Sequence, residues 1–123
     1  MAAPGCGRED AQRAETEASS LKTWQQVFES YERYRWCDDG AISEGYSSSI
    51  ATLLASDWGN LGALLQLIKS HPDIEKFVLK HLDDTMTQDQ DTKIQGNIRT
   101  SCPKDGARFC VAVQKRFAIL NSN

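Results

Sequence analysis

Apolar side chains return every three or four positions through most of this chain, and no stretch alternates apolar with polar long enough to make a strand. Trp24, Val27, Phe28 and Tyr31 fall at i, i+3, i+4 and i+7, the spacing that gathers side chains on one face of a helix. The pattern repeats at Ile42, Tyr46, Ile50, Leu53, Leu54 and Trp58, and again at Leu61, Leu64, Leu65 and Ile68. It continues at Ile74, Phe77, Val78 and Leu82, at Ile94 and Ile98, and at Phe109, Val113, Phe117 and Leu120. Each such helix has one apolar face that must be covered by another. The expected fold is all-α, a single compact domain of five to seven helices, and 123 residues leave room for one such domain.

Start and stop signals divide the stripes. Thr23 followed by Gln26 reads as a capping box, and Asp38 or Asp39 is placed to cap the next helix. Gly59 ends that segment, and Pro72 stops the one after it, because the residue before a proline disfavours the α region. Ser70-His71-Pro72-Asp73 reads as a new start with Ser70 as N-cap. A polar segment opens at Thr87 and closes at Cys102-Pro103, and the last helix is expected from about Asp105. Residues 8–19 are polar, with Ala11, Ala14 and Ala18 as a thin apolar stripe. They suggest an N-terminal segment or arm over 1–21, followed by a helical domain over 22–120. Ala41, Gly45 and Ser49 recur every four residues, a small-residue face that another helix backbone is expected to approach.

Four cysteines, Cys6, Cys37, Cys102 and Cys110, allow three pairings. They lack the short Cys-x-x-Cys knuckles of zinc sites and redox motifs. Cys6–Cys37 and Cys102–Cys110 is the favoured pairing, because each bond joins neighbouring pieces, the second across a helix–turn–helix corner. Disulfides belong to an oxidising compartment, so the expected location is periplasmic or secreted. Four reduced, buried cysteines in a cytosolic protein are the alternative. Residues 1–5 carry neither the basic nor the apolar region of a signal peptide, so Met1 reads as a start placed ahead of a mature sequence. Ala3-Pro4-Gly5-Cys6 is also similar to the end of a bacterial lipoprotein cleavage box. In that reading Cys6 carries lipid and Cys37 stays unpaired.

The net charge is −3 and the sequence pI about 5.3, which argues against binding nucleic acid or anionic membranes through clustered Lys and Arg. No apolar run approaches the ~20 residues of a membrane span. No phosphate loop, dinucleotide fingerprint, His-Glu-x-x-His or Gly-x-Ser-x-Gly elbow occurs. The chain is therefore read as a non-enzymatic binding protein, with no catalytic residue, metal or cofactor expected. His81, seven residues after Ile74 and four after Phe77, lies on or beside a buried stripe and reads as a satisfied core histidine.

The candidate binding face comes from residues 34–46. Asp38, Asp39 and Glu44 crowd together there, and helix capping accounts for carboxylates at a helix start. The segment lacks the Asp-x-Asp-x-Asp-Gly order of a calcium loop. Trp24, Phe28, Tyr31, Tyr34 and Trp36 exceed what one helix face can hide, so Tyr34 and Trp36 are expected at a rim. Exposed aromatics beside acidic groups suit a protein contact.

Three stretches carry a resemblance: Tyr31–Tyr34 with Cys37–Ser47, Phe77–Thr85, and Cys102-Pro103 to Cys110. Across about residues 22–115 the chain resembles small secreted proteins of Gram-negative bacteria without a named function. The resemblance implies export and supports the disulfides. In type, the chain is also similar to periplasmic immunity proteins, which are small, acidic, helical and disulfide-stapled and plug a toxin's active site. The expected function is an inhibitor or immunity protein that occludes an envelope-targeting toxin or enzyme. Asp38, Asp39, Glu44, Trp36 and Tyr34 form its contact face. A homodimer is compatible with this, and the alternative is a periplasmic small-ligand or metal-binding protein using the Asp38–Glu44 region and His81.

Overall fold

The apolar stripes become helices. The structure, a computed structural model, describes residues 5–122. Met1–Pro4, which hold the proposed start and the first half of the lipoprotein-like stretch, lie outside the described residues, as does Asn123. Seven α-helices follow in order among the described residues: α1 Arg8–Ala18, α2 Trp24–Tyr34, α3 Gly40–Ser56, α4 Leu61–Ser70, α5 Asp73–Lys80, α6 Gln88–Ser101 and α7 Ala107–Leu120. Short 3-10 turns at Arg35–Cys37, Trp58–Asn60 and Lys104–Gly106 join some of them, and the described residues contain no strand. The fold is all-α, and none of these helices is long and apolar enough to cross a membrane.

The caps explain the boundaries. Thr23 Oγ1 accepts the Gln26 amide at 3.0 Å, and the Gln26 side chain accepts the Lys22 amide at 2.7 Å. A capping box closed on Thr23 itself is thus displaced by one residue. Thr87 and Gln90 make the full reciprocal box at the start of α6. Asp39, not Asp38, caps α3 by accepting the Gly40 amide at 2.9 Å. Gly40 has φ +54°, a left-handed turn that side chains resist. Ser70 is not the cap of α5. It ends α4, and Pro72 occupies the position before α5, where its missing amide costs nothing.

Helix α3 runs through the middle, packing on α1, α2 and α6. Its Tyr46 and Ile50 are wholly buried, as are Val27 of α2, Leu64 of α4, Ile74 and Val78 of α5 and Val113 of α7. Helix α1 is built into this core, with Ala14 and Ala18 at zero exposure. The small-residue face of α3 receives it. A Cβ on Gly45 would lie 2.9 Å from Ala18 Cβ and 3.1 Å from the Ser19 amide nitrogen. Ser49 Oγ donates to the Ala18 carbonyl at 2.6 Å and accepts the Leu21 amide at 3.2 Å. Ala41 stays exposed, outside this contact.

The cysteines pair as Cys6–Cys37 and Cys102–Cys110, with Cα separations of 5.1 and 6.5 Å, within the range a disulfide accepts. With its sulfur bonded to Cys37, Cys6 has no thiol for a lipid, which overturns the lipoprotein expectation. In the chain-entropy account the longer loop stabilises by about 3.7 kcal/mol and the shorter by about 2.5 kcal/mol. Two such bonds are consistent with an oxidising, extracytoplasmic location.

The α1–α3 contact yields a direct test. Gly45→Ala should destabilise the protein by about 1–3 kcal/mol, since the added methyl meets backbone as well as Ala18. Chemical denaturation measures the loss, and an alanine accommodated without loss would show that α1 is only loosely seated.

Candidate functional site

The 3-10 turn at Arg35–Cys37 makes a corner between α2 and α3, and the disulfide from Cys37 to Cys6 pins it. The sequence-predicted contact residues separate at this corner. Trp36 is 53% exposed. The Arg35 guanidinium lies 4.9 Å from its ring centroid and 5.7 Å from that of Tyr31, a cation–π arrangement that orders both aromatics. A Cβ on Gly5 would stand 3.5 Å from Trp36 Cγ, so the backbone at Gly5 backs the indole. Asp39 and Glu44 are exposed near the start of α3.

Two expectations are corrected here. Tyr34 is not at a rim. It is 8% exposed, because α1 covers the end of α2, where Arg33 pairs with Glu17 at 3.2 Å. Asp38 does not face outward either. Its side chain is 5% exposed, and its Oδ2 accepts both the Lys80 ammonium at 2.8 Å and His81 Nε2 at 2.9 Å.

His81, which follows α5, has no exposure, and both its ring nitrogens are engaged. Nδ1 lies 2.8 Å from Ser47 Oγ on α3, and Ser47 Oγ lies 2.7 Å from Asp83 Oδ2. Asp83 Oδ1 in turn accepts the Thr85 amide at 3.0 Å and the Thr85 hydroxyl. The His81 ring sits among aromatics, 4.7 Å from Phe77 and 5.7 Å from Tyr46 between centroids. From α7, Arg116 donates to the Leu82 and Lys80 carbonyls, groups a helix end leaves without partners. A buried polar network thus ties the corner, α3, α5 and α7 together.

Ser47, His81 and Asp38 have the residue types of a catalytic triad in a different arrangement. The hydroxyl meets Nδ1 and the carboxylate Nε2, Ser47 is 1% exposed, and Asp83 already engages its oxygen. Their contacts join elements distant in sequence. Asp38 and His81, both named in the metal-binding alternative, meet each other, while Asp39 and Glu44 remain outside. No group of three or more His, Cys, Asp or Glu suited to a metal occurs among the described residues. The sequence reading placed His81 in the core but did not join Ser47 and Asp83 to it. A serine between the buried Tyr46 and Ile50 was the available signal.

The network perturbs its carboxylates. Burial pushes Asp38 up, but hydrogen bonds from His81 and Lys80 outweigh it and hold the carboxyl below its ordinary value. Burial likewise pushes Asp83 up, and donation from Thr85 and Ser47 outweighs it. Burial raises Tyr46 to about 12, against the hydrogen bond to Ser30. Because both carboxylates titrate lower when folded, the unfolded chain binds more protons as the pH drops through about 4. Their stabilisation is therefore complete above that range and lost below it. Denaturation midpoints should fall steeply between about pH 5 and pH 3, and Asp38→Asn should flatten that fall while lowering stability at pH 7. An unchanged profile in the variant would remove Asp38 from the account.

No protein-family model matches this chain, and no curated protein or solved structure gives a significant match, so residues and their geometry carry the functional reading.

Proposed function

We propose that this chain is a periplasmic binding domain, an inhibitor or immunity protein that occludes an envelope-targeting toxin or enzyme without turning over a substrate itself. The observation that carries the reading is Trp36. A half-exposed tryptophan, stacked by Arg35 and standing on a corner closed by Cys6–Cys37, is a rigid anchor of the type that dominates protein interfaces. Ordering it before contact lowers the entropy lost on binding. Asp39, the cap of α3, and Glu44, near the start of that helix, are exposed and supply rim charge that steers encounter with a basic partner. Tyr34 and Asp38 leave the contact face and become its supports, and Arg35 joins it.

The test is retention of envelope proteins on the immobilised, oxidised chain. A partner held by the parent should bind Trp36→Ala about 30-fold more weakly, the effect of losing one hot spot. Asp39→Asn with Glu44→Gln should slow association more than it speeds dissociation. A partner retained equally by Trp36→Ala would move the contact face elsewhere. Tight calcium, magnesium or zinc binding in calorimetry, with no protein retained, would favour the metal-binding alternative.

A further inference from the structure

Three contacts in the buried network need three protons, and the ordinary ionisation of its four side chains supplies two. The contacts join Asp38 Oδ2 to His81 Nε2, His81 Nδ1 to Ser47 Oγ, and Ser47 Oγ to Asp83 Oδ2, at 2.9, 2.8 and 2.7 Å. A neutral imidazole brings one N–H and a serine one O–H, while ionised carboxylates bring acceptors alone. Both carboxylates are held in the accepting role, since donors keep each carboxyl below its ordinary value despite burial. Asp38 Oδ2 also receives the Lys80 ammonium, and Asp83 Oδ1 receives the amide and hydroxyl of Thr85. Ser47 therefore donates to Asp83, and Nε2–H donates to Asp38. With a neutral ring, Nδ1 and Ser47 Oγ would face each other lone pair to lone pair at 2.8 Å, both closed off from solvent.

We propose that the network holds a third proton, on His81 Nδ1, so that an imidazolium is clasped between Asp38 and, through Ser47, Asp83. A proton on Asp38 Oδ1 would not serve, because that buried oxygen has no hydrogen-bond partner. The charges then balance, with Lys80 and His81 against Asp38 and Asp83, which is how a protein interior tolerates ions. The other ionisable groups around the ring leave this balance intact. Tyr46 on α3 keeps its hydroxyl on Ser30, and Arg116 on α7 addresses the Lys80 and Leu82 carbonyls. The third proton is in effect a ligand of the folded state. It fastens Asp38, two residues after Trp36 and adjacent to Asp39, to the core. The assignment concerns the chain alone and stands whether or not Trp36 meets a partner.

At about pH 8 the imidazole of an unfolded chain has lost this proton. The unfolding constant should therefore rise about tenfold per pH unit above neutrality until the folded network releases the proton too. Nitrogen NMR of the full oxidised chain at pH 7 reads the assignment directly, with exposed His71 as internal reference. Both His81 ring nitrogens should be protonated, and one protonated nitrogen would overturn the proposal. Asp83→Asn provides the second arm. Its amide can donate to Ser47 Oγ, freeing the serine proton for Nδ1, so the ring should become singly protonated and the alkaline slope should vanish. A variant that keeps the parent's slope would refute the assignment. If that variant fails to fold, the parent spectrum decides.

Discussion

Asp38 is a carboxylate that the fold takes out of water and then meets with two donors on one of its oxygens. Burial alone would raise its pKa and leave it protonated, and an unpaired charge at that depth would cost several kcal/mol. Lys80 and His81 reverse the balance. Because those two residues end and follow α5, the ion pair requires α5 to stop where it does, beneath the corner between α2 and α3. Ser47 and Asp83 complete the circle from α3 and from the loop after α5. Losing any one member strands the others in a dry site, which is why such networks act as a unit.

Around that point the packing relies on closeness more than on bulk. Helix α1 carries no large apolar residue, and it holds its place because α3 offers Gly45 and Ser49 there. Backbone meets backbone, and a serine hydroxyl both donates to the end of α1 and accepts from the chain beyond it. The first helix thus stays polar on its outer side and belongs to the core on its inner side. Alanines at zero exposure give little area each, but close approach recovers dispersion contacts that a wider spacing would forfeit.

Much of this was legible in the sequence, and the two misplaced contact residues have a common cause. Helical stripes, the Thr23 cap and the small-residue face depend on residues a few positions apart, where spacing and conformation are linked. The cysteine pairing was also readable, because both bonds join neighbouring segments. Asp38 and Tyr34 were misplaced because their surroundings come from afar. His81 is 43 residues from Asp38, and α1, which covers Tyr34, showed only a thin apolar stripe that did not say what it would cover. Asp39 shows the converse: next to Asp38 and chemically the same, it stays at the surface because its local role as a cap needs nothing distant. Asp38 and Asp39 could not be told apart without the partners that a tertiary fold supplies.

The two disulfides differ in when they can form. Cys102 and Cys110 are eight residues apart and span one short turn, so their encounter needs only local chain motion, and the loop entropy is small. Cys6 and Cys37 are separated by 31 residues that include α1 and α2. Packing α1 against α2 brings those sulfurs together and keeps them there. Oxidation of the first pair is therefore compatible with a largely unfolded chain, while oxidation of the second is favoured by assembly of the N-terminal helices. A partly oxidised chain carrying only the C-terminal bond would have its last helix anchored and its Trp36 corner still open. Closing the longer loop thus fixes the face on which that tryptophan stands, while closing the shorter one leaves it free.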